Sequence, residues 1–288
     1  GLIKDNDLVD ELTGSGIVML AETPFYAEKG GQVTDIGTIT AKGGKAQVRE
    51  VKTPAENFII HFVKVGEGLL RVGDEVECQV DDTRRVSTAR NHTATHLLHK
   101  ALKEVLGDHV NQAGSLVEPE RLRFDFTHYE APTKEQLRKI EQIVNANIRK
   151  NLPVIVEIKD LDEAKELGAT ALFDEKYGDK VRVVQIADYS KELCGGTHVQ
   201  ATGEIGLIKI VSEGSIAAGI RRIEAVTGER AVYEFEKLED LVESLAKSLK
   251  VSVPELPQKI EKIEKEQAEL RKELEALQAK MAAQRSRD

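Results

Sequence analysis

The sequence lacks two features that define large classes of proteins. No stretch of its 288 residues approaches the roughly 18 apolar residues of a membrane-spanning helix, and no secretory signal opens the chain. Only two cysteines are present, Cys78 and Cys194, which are too few for a disulfide framework. An integral membrane protein is therefore excluded, no membrane partner is expected, and the reducing cytoplasm is the expected location.

An excess of positive charge is also missing. The chain has 41 Lys and Arg against 50 Asp and Glu, a formal net charge of −9. Because phosphate affinity comes from Lys and Arg, this balance excludes a general nucleic-acid-binding protein. Residues 1–83 hold 8 basic and 15 acidic residues, whereas residues 84–228 hold 21 of each. Any contact with RNA is therefore expected to be local and to fall in the middle of the chain.

Residues 1–85 have the pattern of short strands separated by glycine-rich turns. Val76, Cys78 and Val80 alternate with polar residues, and this period of two places Cys78 on a buried face. A structural role for this thiol is therefore preferred over a reactive one. Several short strands at close spacing predict a small N-terminal β-barrel.

Residues 86–228 have the pattern of an α+β domain. Ser87 is a good N-cap for a helix that ends at Gly107, and a second helix fits Thr133–Lys150. A short helix is predicted at Asp160–Leu167, and strands at Val154–Ile158, Val181–Ile186, Leu207–Val211 and Gly219–Val226. This mixture is typical of a compact α+β fold.

Residues 229–288 change to a helical pattern that Pro254 and Pro257 interrupt. After the prolines, steps of three and four residues form an a/d seam of three heptads: Ile260, Ile263, Gln267, Leu270, Leu274, Leu277 and Met281. A single solvated helix does not need such a stripe, so a coiled coil is predicted, with a partner helix in the same chain or in another. We expect a homo-oligomer that forms through these C-terminal helices.

Two pairs of His and Cys residues have a spacing suited to a metal ion. His92 and His96 are four apart on a predicted helix, so their rings share one face, and Cys194 and His198 are four apart in a glycine-rich turn. Zinc binds such nitrogen and sulfur ligands tetrahedrally. Each pair alone is a weak signal, because histidines on helices are more often surface or core residues. Together they predict a zinc site.

His99 lies on the same predicted helical face and is an alternative ligand. At a rise of ~1.5 Å per residue it is roughly 10 Å from His92 along the helix. One small ion cannot readily bind three histidines spread over that distance. We interpret His99 as a residue behind the ligands or as a packing residue.

Four motifs occur in the order found in one family. They are Ala21-Glu-Thr-Pro-Phe-Tyr-Ala-Glu-Lys-Gly-Gly-Gln32 with Asp35-Ile-Gly37, His92-Thr-Ala-Thr-His96-Leu-Leu-His, Cys194-Gly-Gly-Thr-His198 and Gly219-Ile-Arg-Arg-Ile-Glu-Ala225. Residues 16–228 thereby resemble the editing domain of alanyl-tRNA synthetases. The heptad tail resembles the start of that family's C-terminal, oligomerising region. The resemblance, with the start at Gly1, predicts a fragment of a bacterial synthetase without the part that activates alanine.

The resemblance implies an aminoacyl-tRNA deacylase that hydrolyses tRNA(Ala) mischarged with serine or glycine, with the tRNA acceptor end as partner. It implies zinc on His92, His96, Cys194 and His198, and it makes Gln112 the pocket glutamine that positions water or the ester. Four protein ligands make a closed shell. A catalytic zinc therefore requires a ligand such as Cys194 to yield, whereas an orienting zinc does not, and both roles stay open.

Substrate selection needs more than size, because serine is larger than alanine and glycine is smaller. A polar group must therefore read the serine hydroxyl. Thr95 is the candidate, with a hydrogen bond to its own helix backbone as the equally expected alternative. The loop of Gly30, Gly31 and Gln32 is the second expected wall of the pocket.

Arg221 and Arg222 are candidates for binding the terminal tRNA phosphates or ribose. Neighbours in a strand point to opposite faces, so at most one is expected to reach the substrate. Three other functions stay open: a free-standing alanyl-tRNA editing protein, a non-catalytic tRNA-binding and dimerisation module with structural zinc, and a threonyl-tRNA editing domain. The barrel and the Gly-Gly-Gln loop favour the alanyl type over the threonyl type.

Overall fold

The computed structural model describes residues 1–55, 58–170 and 178–285. Gly1–Ala231 forms one compact unit and Val232–Asp288 a second. The expected segments 1–85 and 86–228 thus share one unit, and a domain boundary near residue 85 stays a prediction.

The expected mixture of helices and strands is confirmed, with 38% of residues in helices and 37% in strands. The strands of the described residues are β1 (Leu2–Lys4), β2 (Asp7–Val9), β3 (Glu11–Leu12), β4 (Ser15–Val18), β5 (Gly37–Ala41), β6 (Gly44–Ala55), β7 (Phe58–Gly68), β8 (Leu70–Arg71), β9 (Val76–Val80), β10 (Gln112–Val117), β11 (Leu122–Thr127), β12 (Val154–Asp160), β13 (Lys180–Ile186), β14 (Ser190–Leu193), β15 (Ile208–Ala217) and β16 (Ile220–Thr227). The α-helices are α1 (Asp82–Leu106), α2 (Lys134–Arg149), α3 (Leu161–Glu166), α4 (Gly228–Leu249) and α5 (Leu256–Arg285), with 3₁₀ turns at Thr202–Ile205 and Val253–Glu255. None of the described helices is long and apolar enough to cross a membrane.

The N-terminal strands form an antiparallel sheet in the order β2-β1-β4-β7-β6-β5-β9. The expected small barrel is wrong, because among the described strands β2 and β9 each have one neighbour in this sheet and the sheet stays open. Alternation identifies individual strands, but closure depends on the tilt and stagger of all the strands together, which no local pattern specifies. Cys78 in β9 is half-buried against the core of this sheet, as its alternation predicts.

Helix α1 begins earlier than the sequence pattern indicates. Its N-cap is Asp81, whose side chain accepts the backbone N–H of Arg84 at 2.9 Å. The expected cap, Ser87, lies inside the helix and donates its hydroxyl to the carbonyl of Thr83. Both residues are good caps, and acidic groups near a helix N-terminus favour the earlier start because they complement the helix dipole. The helix ends at Gly107, as predicted.

One face of α1 packs into the main core of the first unit. Fully buried residues of this face are Ala94, Leu97, Leu98, Ala101 and Leu102. They pack with α2 and with the antiparallel sheet β10-β11-β16-β15, which contributes Phe124 and Phe126. The predicted second helix is confirmed as α2, where Thr133 and Gln136 form a capping box. The opposite face of α1 is polar but also buried, and it contributes to the site described below.

A separate antiparallel sheet, in the order β12-β13-β14, carries the loop that contains Cys194. Its central strand β13 covers the predicted strand Val181–Ile186, and α3 matches the predicted short helix within one residue at each end. A small core around Ala164, Val183 and Leu193 fixes α3 against this sheet.

In the second unit, α5 contains the whole of the predicted heptad seam. The apolar seam residues of α5, from Ile260 to Met281, are each between 38% and 65% exposed. The helix itself is therefore confirmed, whereas a coiled-coil partner stays a prediction.

Replacement of Leu102 by alanine tests the packing of α1. A fully buried leucine that leaves a cavity costs about 2–5 kcal/mol of unfolding free energy. Urea denaturation followed by circular dichroism measures this loss. Lys100→Ala, an exposed change on the same helix, is expected to stay within about 0.5 kcal/mol of the parent. Equal stability of the two variants would contradict this account of the core.

Candidate functional site

Four side chains with metal-binding atoms meet in the first unit. The ligand atoms of His92, His96, Cys194 and His198 all lie within 4.8 Å of one another. Cys194 Sγ is 3.3 Å from both His92 Nε2 and His198 Nε2. The spacing of four residues in α1 places its two histidines on one face, toward the loop after β14. The structure thus brings together the predicted ligand set, which could hold a metal ion.

Two separations within the cluster are close to those around a tetrahedral zinc ion, whereas the four ligand atoms as a set spread over up to 4.8 Å. Zn–N bonds of about 2.0–2.1 Å and Zn–S bonds of about 2.3 Å place neighbouring ligand atoms roughly 3.3–3.6 Å apart. The two Sγ–Nε2 separations of 3.3 Å agree with this range. His96 Nε2 is buried without a hydrogen-bond partner, as expected of an atom that a metal would satisfy.

The protonation states of Cys194 and His198 also suit zinc. Burial raises the pKa of the Cys194 thiol, but the neighbouring His92 and His198 rings outweigh burial and hold this pKa well below its usual value. Burial and the His92 ring lower the pKa of His198 to about 3. The lowered thiol pKa favours the thiolate, and the neutral His198 ring is the form that binds zinc. His96, whose pKa is raised to about 9, must release a proton before it can bind a metal.

The outer nitrogens of two of these histidines have defined partners. His92 Nδ1 donates to Gln32 Oε1 at 2.7 Å, and His198 Nδ1 donates to Thr93 Oγ1 at 3.1 Å. Gln32 Oε1 also accepts the backbone N–H of Thr197 at 2.8 Å. Contacts of this kind fix the ring orientation and direct Nε2 toward the metal position.

Glu192, in β14, faces two histidines of α1. Its Oε2 is 3.1 Å from His96 Nδ1, and its Oε1 is 3.1 Å from His99 Nδ1. Burial lowers the pKa of His96, but the Glu192 carboxylate outweighs burial and raises this pKa to about 9. His99 is thus held behind the ligands by Glu192 and is not part of the cluster.

The loop that carries Cys194 requires glycine at residue 196. A Cβ atom on Gly196 would lie 2.0 Å from His92 Cε1 and 2.7 Å from Gln32 Oε1. Arg182 of β13 holds this loop by donating to the carbonyls of Cys194 at 2.9 Å and of Gly196 at 2.6 Å. The backbone of the loop can therefore approach α1 closely enough for its thiol and imidazole to join the cluster.

Three residues of the cluster, His92, His96 and Cys194, line a cavity of about 230 Å³. Of the predicted pocket residues, Gly30, Thr95 and Gln112 line this cavity, and Gln32 lies behind it against His92. Gly31 has a φ of +83°, a left-handed conformation that favours glycine, and its turn delivers Gln32 to the site. The Gly-Gly-Gln loop is thereby placed next to the cluster.

Thr95 makes the backbone hydrogen bond that was one of its two expected roles. Its hydroxyl donates to the carbonyl of Asn91 at 2.8 Å. The hydroxyl proton is therefore committed, and Thr95 Oγ1 faces the cavity only as an acceptor.

Arg221 and Arg222 lie in β16, outside the residues that line the cavity. Arg221 is paired with Glu213, and Arg222 forms two hydrogen bonds to Asp125, at 2.7 and 2.8 Å. Their side chains are 12% and 34% exposed, respectively. Both guanidinium groups are thus engaged within the protein.

Sequence reasoning missed the residues that hold the cluster from behind: Thr93, Arg182 and Glu192. Thr93 and Glu192 are buried polar side chains inside regular elements, and nothing in their spacing marks them. The one available signal is an arginine within the apolar run from Val181 to Val184, since a charge there requires a specific partner.

Comparison with known families agrees with this geometry. Residues 181–224 match the family described as "Threonyl and Alanyl tRNA synthetase second additional domain", and residues 1–84 match the family described as "tRNA synthetases class II (A)". Both matches are to families of aminoacyl-tRNA synthetase sequences, and the first includes Cys194 and His198 of the cluster.

Whole-chain relatives identify the particular family. An alanine–tRNA ligase of Carboxydothermus hydrogenoformans is 54% identical over 98% of this chain and 32% of its own length. Those of Listeria innocua and Fervidobacterium nodosum are 52% and 54% identical over 100% and 96% of this chain, and over 33% and 31% of their own lengths. The chain belongs to the alanyl-tRNA synthetase family, and it spans about a third of the length of the curated relatives that it matches.

Replacement of Gly196 by alanine tests the close approach of the loop to α1. The added Cβ must displace the His92 ring, so we expect the affinity for Zn²⁺ to fall about 10- to 100-fold, as it does when an outer contact of a metal ligand is lost. Competition with a chromogenic chelator measures this affinity. Gly195→Ala is the matched control, since no atom lies within 4 Å of a Cβ there. A similar loss in both variants would contradict the proposed geometry.

Proposed function

We propose that this chain is an editing domain that hydrolyses the ester bond of tRNA(Ala) mischarged with serine or glycine. The observation that carries this proposal is the His/Cys cluster, of which His92, His96 and Cys194 line a cavity that Gln112 also lines. Membership of the alanyl-tRNA synthetase family supports the tRNA part of the substrate. The proposal includes a location in the cytoplasm, where charged tRNA is found.

In this proposal zinc is held by His92, His96, Cys194 and His198. When bound, it supplies a positive charge that can activate water, polarise a carbonyl or orient the substrate. The Gln112 amide, with one donor and one acceptor side, positions water or the ester in the cavity. A catalytic role for Cys194 requires its thiolate to leave the metal during turnover.

The tRNA acceptor end needs basic groups near the cavity, because the chain as a whole carries a net charge of −9. Lys29, Lys180 and Arg182 line the cavity and supply positive charge where the terminal adenosine would enter. Of the two arginines in β16, Arg222 has the more exposed side chain and is the better candidate for a phosphate contact.

A second candidate function is a non-catalytic tRNA-binding module with structural zinc. The specific observation in its favour is the set of four protein ligands, which is typical of closed, structural zinc sites. The two functions differ in whether the cavity residues affect hydrolysis or only folding and binding.

Replacement of Gln112 or Cys194 by alanine separates these functions. If Gln112 positions a reacting group, its loss lowers the rate of seryl-tRNA(Ala) hydrolysis about 100-fold while tRNA affinity is kept. Cys194→Ala is expected to reduce both zinc content and hydrolysis. Release of serine from charged tRNA measures the rate. Zinc content and a tRNA-binding assay accompany it.

Cys78→Ala is the control for Cys194, since Cys78 is half-buried in β9 away from the cavity and is expected to leave hydrolysis unchanged. Zinc-loaded protein without deacylase activity would refute the editing function. Full activity in the Gln112 variant would assign that residue to structure only.

We also propose that α5 mediates self-association. The helix presents an exposed apolar seam, and Gln267 in the seam can fix the register of a partner helix. No described residues cover the apolar seam, and a second copy of the chain is the simplest partner that would bury it.

Leu274→Glu tests this association, because a charge in the seam would be buried against the partner. Sedimentation velocity is expected to show an oligomer for the parent chain and a monomer for the variant. Ala276→Glu, on the same helix but outside the seam, is expected to keep the oligomer. A monomeric parent chain at high concentration would contradict the proposal.

A further inference from the structure

The cavity wall contains buried ring nitrogens that have no hydrogen-bond partner among the described residues, and of these His99 Nε2 lies outside the proposed ligand set. His99 is 3% exposed and lines the cavity, and its Nδ1 lies 3.1 Å from Glu192 Oε1. Its Nε2 is buried without a partner. An unpaired buried polar atom is unfavourable, so Nε2 is expected to pair with a group that enters the cavity.

Glu192 determines what kind of group Nε2 can bind. The two carboxylate oxygens of Glu192 lie 3.1 Å from His96 Nδ1 and 3.1 Å from His99 Nδ1, and carboxylate oxygens accept hydrogen bonds. His99 Nδ1 must then carry the proton and donate. In a neutral imidazole the other nitrogen is an acceptor. We take His99 in this neutral form, in which Nε2 is an acceptor.

We propose that His99 Nε2 is the specificity-determining group that separates alanine from serine and glycine, an inference that rests on the proposed deacylase function. A seryl hydroxyl donates to Nε2. A glycyl group leaves space for a water molecule, which donates in its place. An alanyl methyl group fills that space, excludes the water and offers no proton, so Nε2 stays unpaired.

This arrangement rejects a substrate of intermediate size, which a size limit cannot do. Only the alanyl group binds with a free-energy cost from an unpaired His99 Nε2. This cost is large, because leaving a buried acceptor unpaired costs more than a typical hydrogen bond contributes. Thr95 is less suited to this role. Its hydroxyl already donates to Asn91 and is not left without a partner when alanine binds.

Binding of unreactive substrate analogues tests the proposal without catalysis. The probes are 3′-amide analogues of seryl-, glycyl- and alanyl-adenosine, measured by calorimetry on the zinc-loaded chain. We expect the parent chain to bind the seryl and glycyl analogues about 10- to 100-fold more tightly than the alanyl analogue. In His99→Leu this preference is expected to fall to within about twofold.

Hydrolysis of the three charged tRNAs is measured in parallel. His99→Leu is expected to gain activity on alanyl-tRNA(Ala) relative to seryl-tRNA(Ala), whereas an equal loss on all three substrates would overturn the specificity role. A parent chain without hydrolysis refutes the proposed function alone, because analogue binding still tests His99.

Two further measurements keep the test decisive if His99→Leu is poorly folded. Nitrogen-15 NMR of the parent chain is expected to show His99 with its proton on Nδ1, and a proton on Nε2 would overturn the proposal. His99→Gln, whose amide also combines a donor and an acceptor, is expected to keep part of the preference.

His109→Leu, an exposed histidine outside the cavity, is the matched control and is expected to keep the full preference. Retention of the full preference in a folded, zinc-loaded His99→Leu protein would refute the role of His99.

Discussion

The amide oxygen of Gln32 joins the three parts of the chain that make the site. It accepts from His92 Nδ1, 60 residues away, and from the backbone N–H of Thr197, 165 residues away. The loop before β5, helix α1 and the loop after β14 therefore meet at one atom. Because the outer nitrogen of an imidazole sets its orientation, the direction of the His92 ligand depends on the N-terminal sheet. The His/Cys cluster is thus a property of the whole first unit.

Helix α1 is buried on both faces for different reasons. Its apolar face fills the core, whereas several side chains of its polar face contact polar groups of other segments, which offsets the cost of burying them. Gln32 accepts a hydrogen bond from His92, and Glu192 lies 3.1 Å from His96 Nδ1. Thr93 accepts a hydrogen bond from His198 on the facing loop. Several buried nitrogens of α1 make no hydrogen bond within the described residues, among them both ring nitrogens of His96 and Nε2 of His99. His99 also lines the cavity, where its unpaired nitrogen could meet a bound group.

Local patterns predicted the parts of this structure that depend on local spacing. The i and i+4 histidines of α1, the glycine at its end and the capped helix α2 follow from helical geometry and capping chemistry. The open sheet in place of a barrel, and the role of Glu192, depend on how distant segments pack. A buried glutamate in a short strand carries no periodic signal, so only the three-dimensional arrangement identifies its two histidine partners.

The order of the ligands along the chain has a consequence for biosynthesis. His92 and His96 leave the ribosome about a hundred residues before Cys194 and His198, and at about 5–20 residues per second this interval lasts roughly 5–20 s. During that time the loop after β14 and the Glu192 carboxylate, which contact the polar face of α1, have not yet been synthesised. The His/Cys cluster can therefore assemble only after translation of the later strands, and the nascent helix depends on its apolar face alone for early stability.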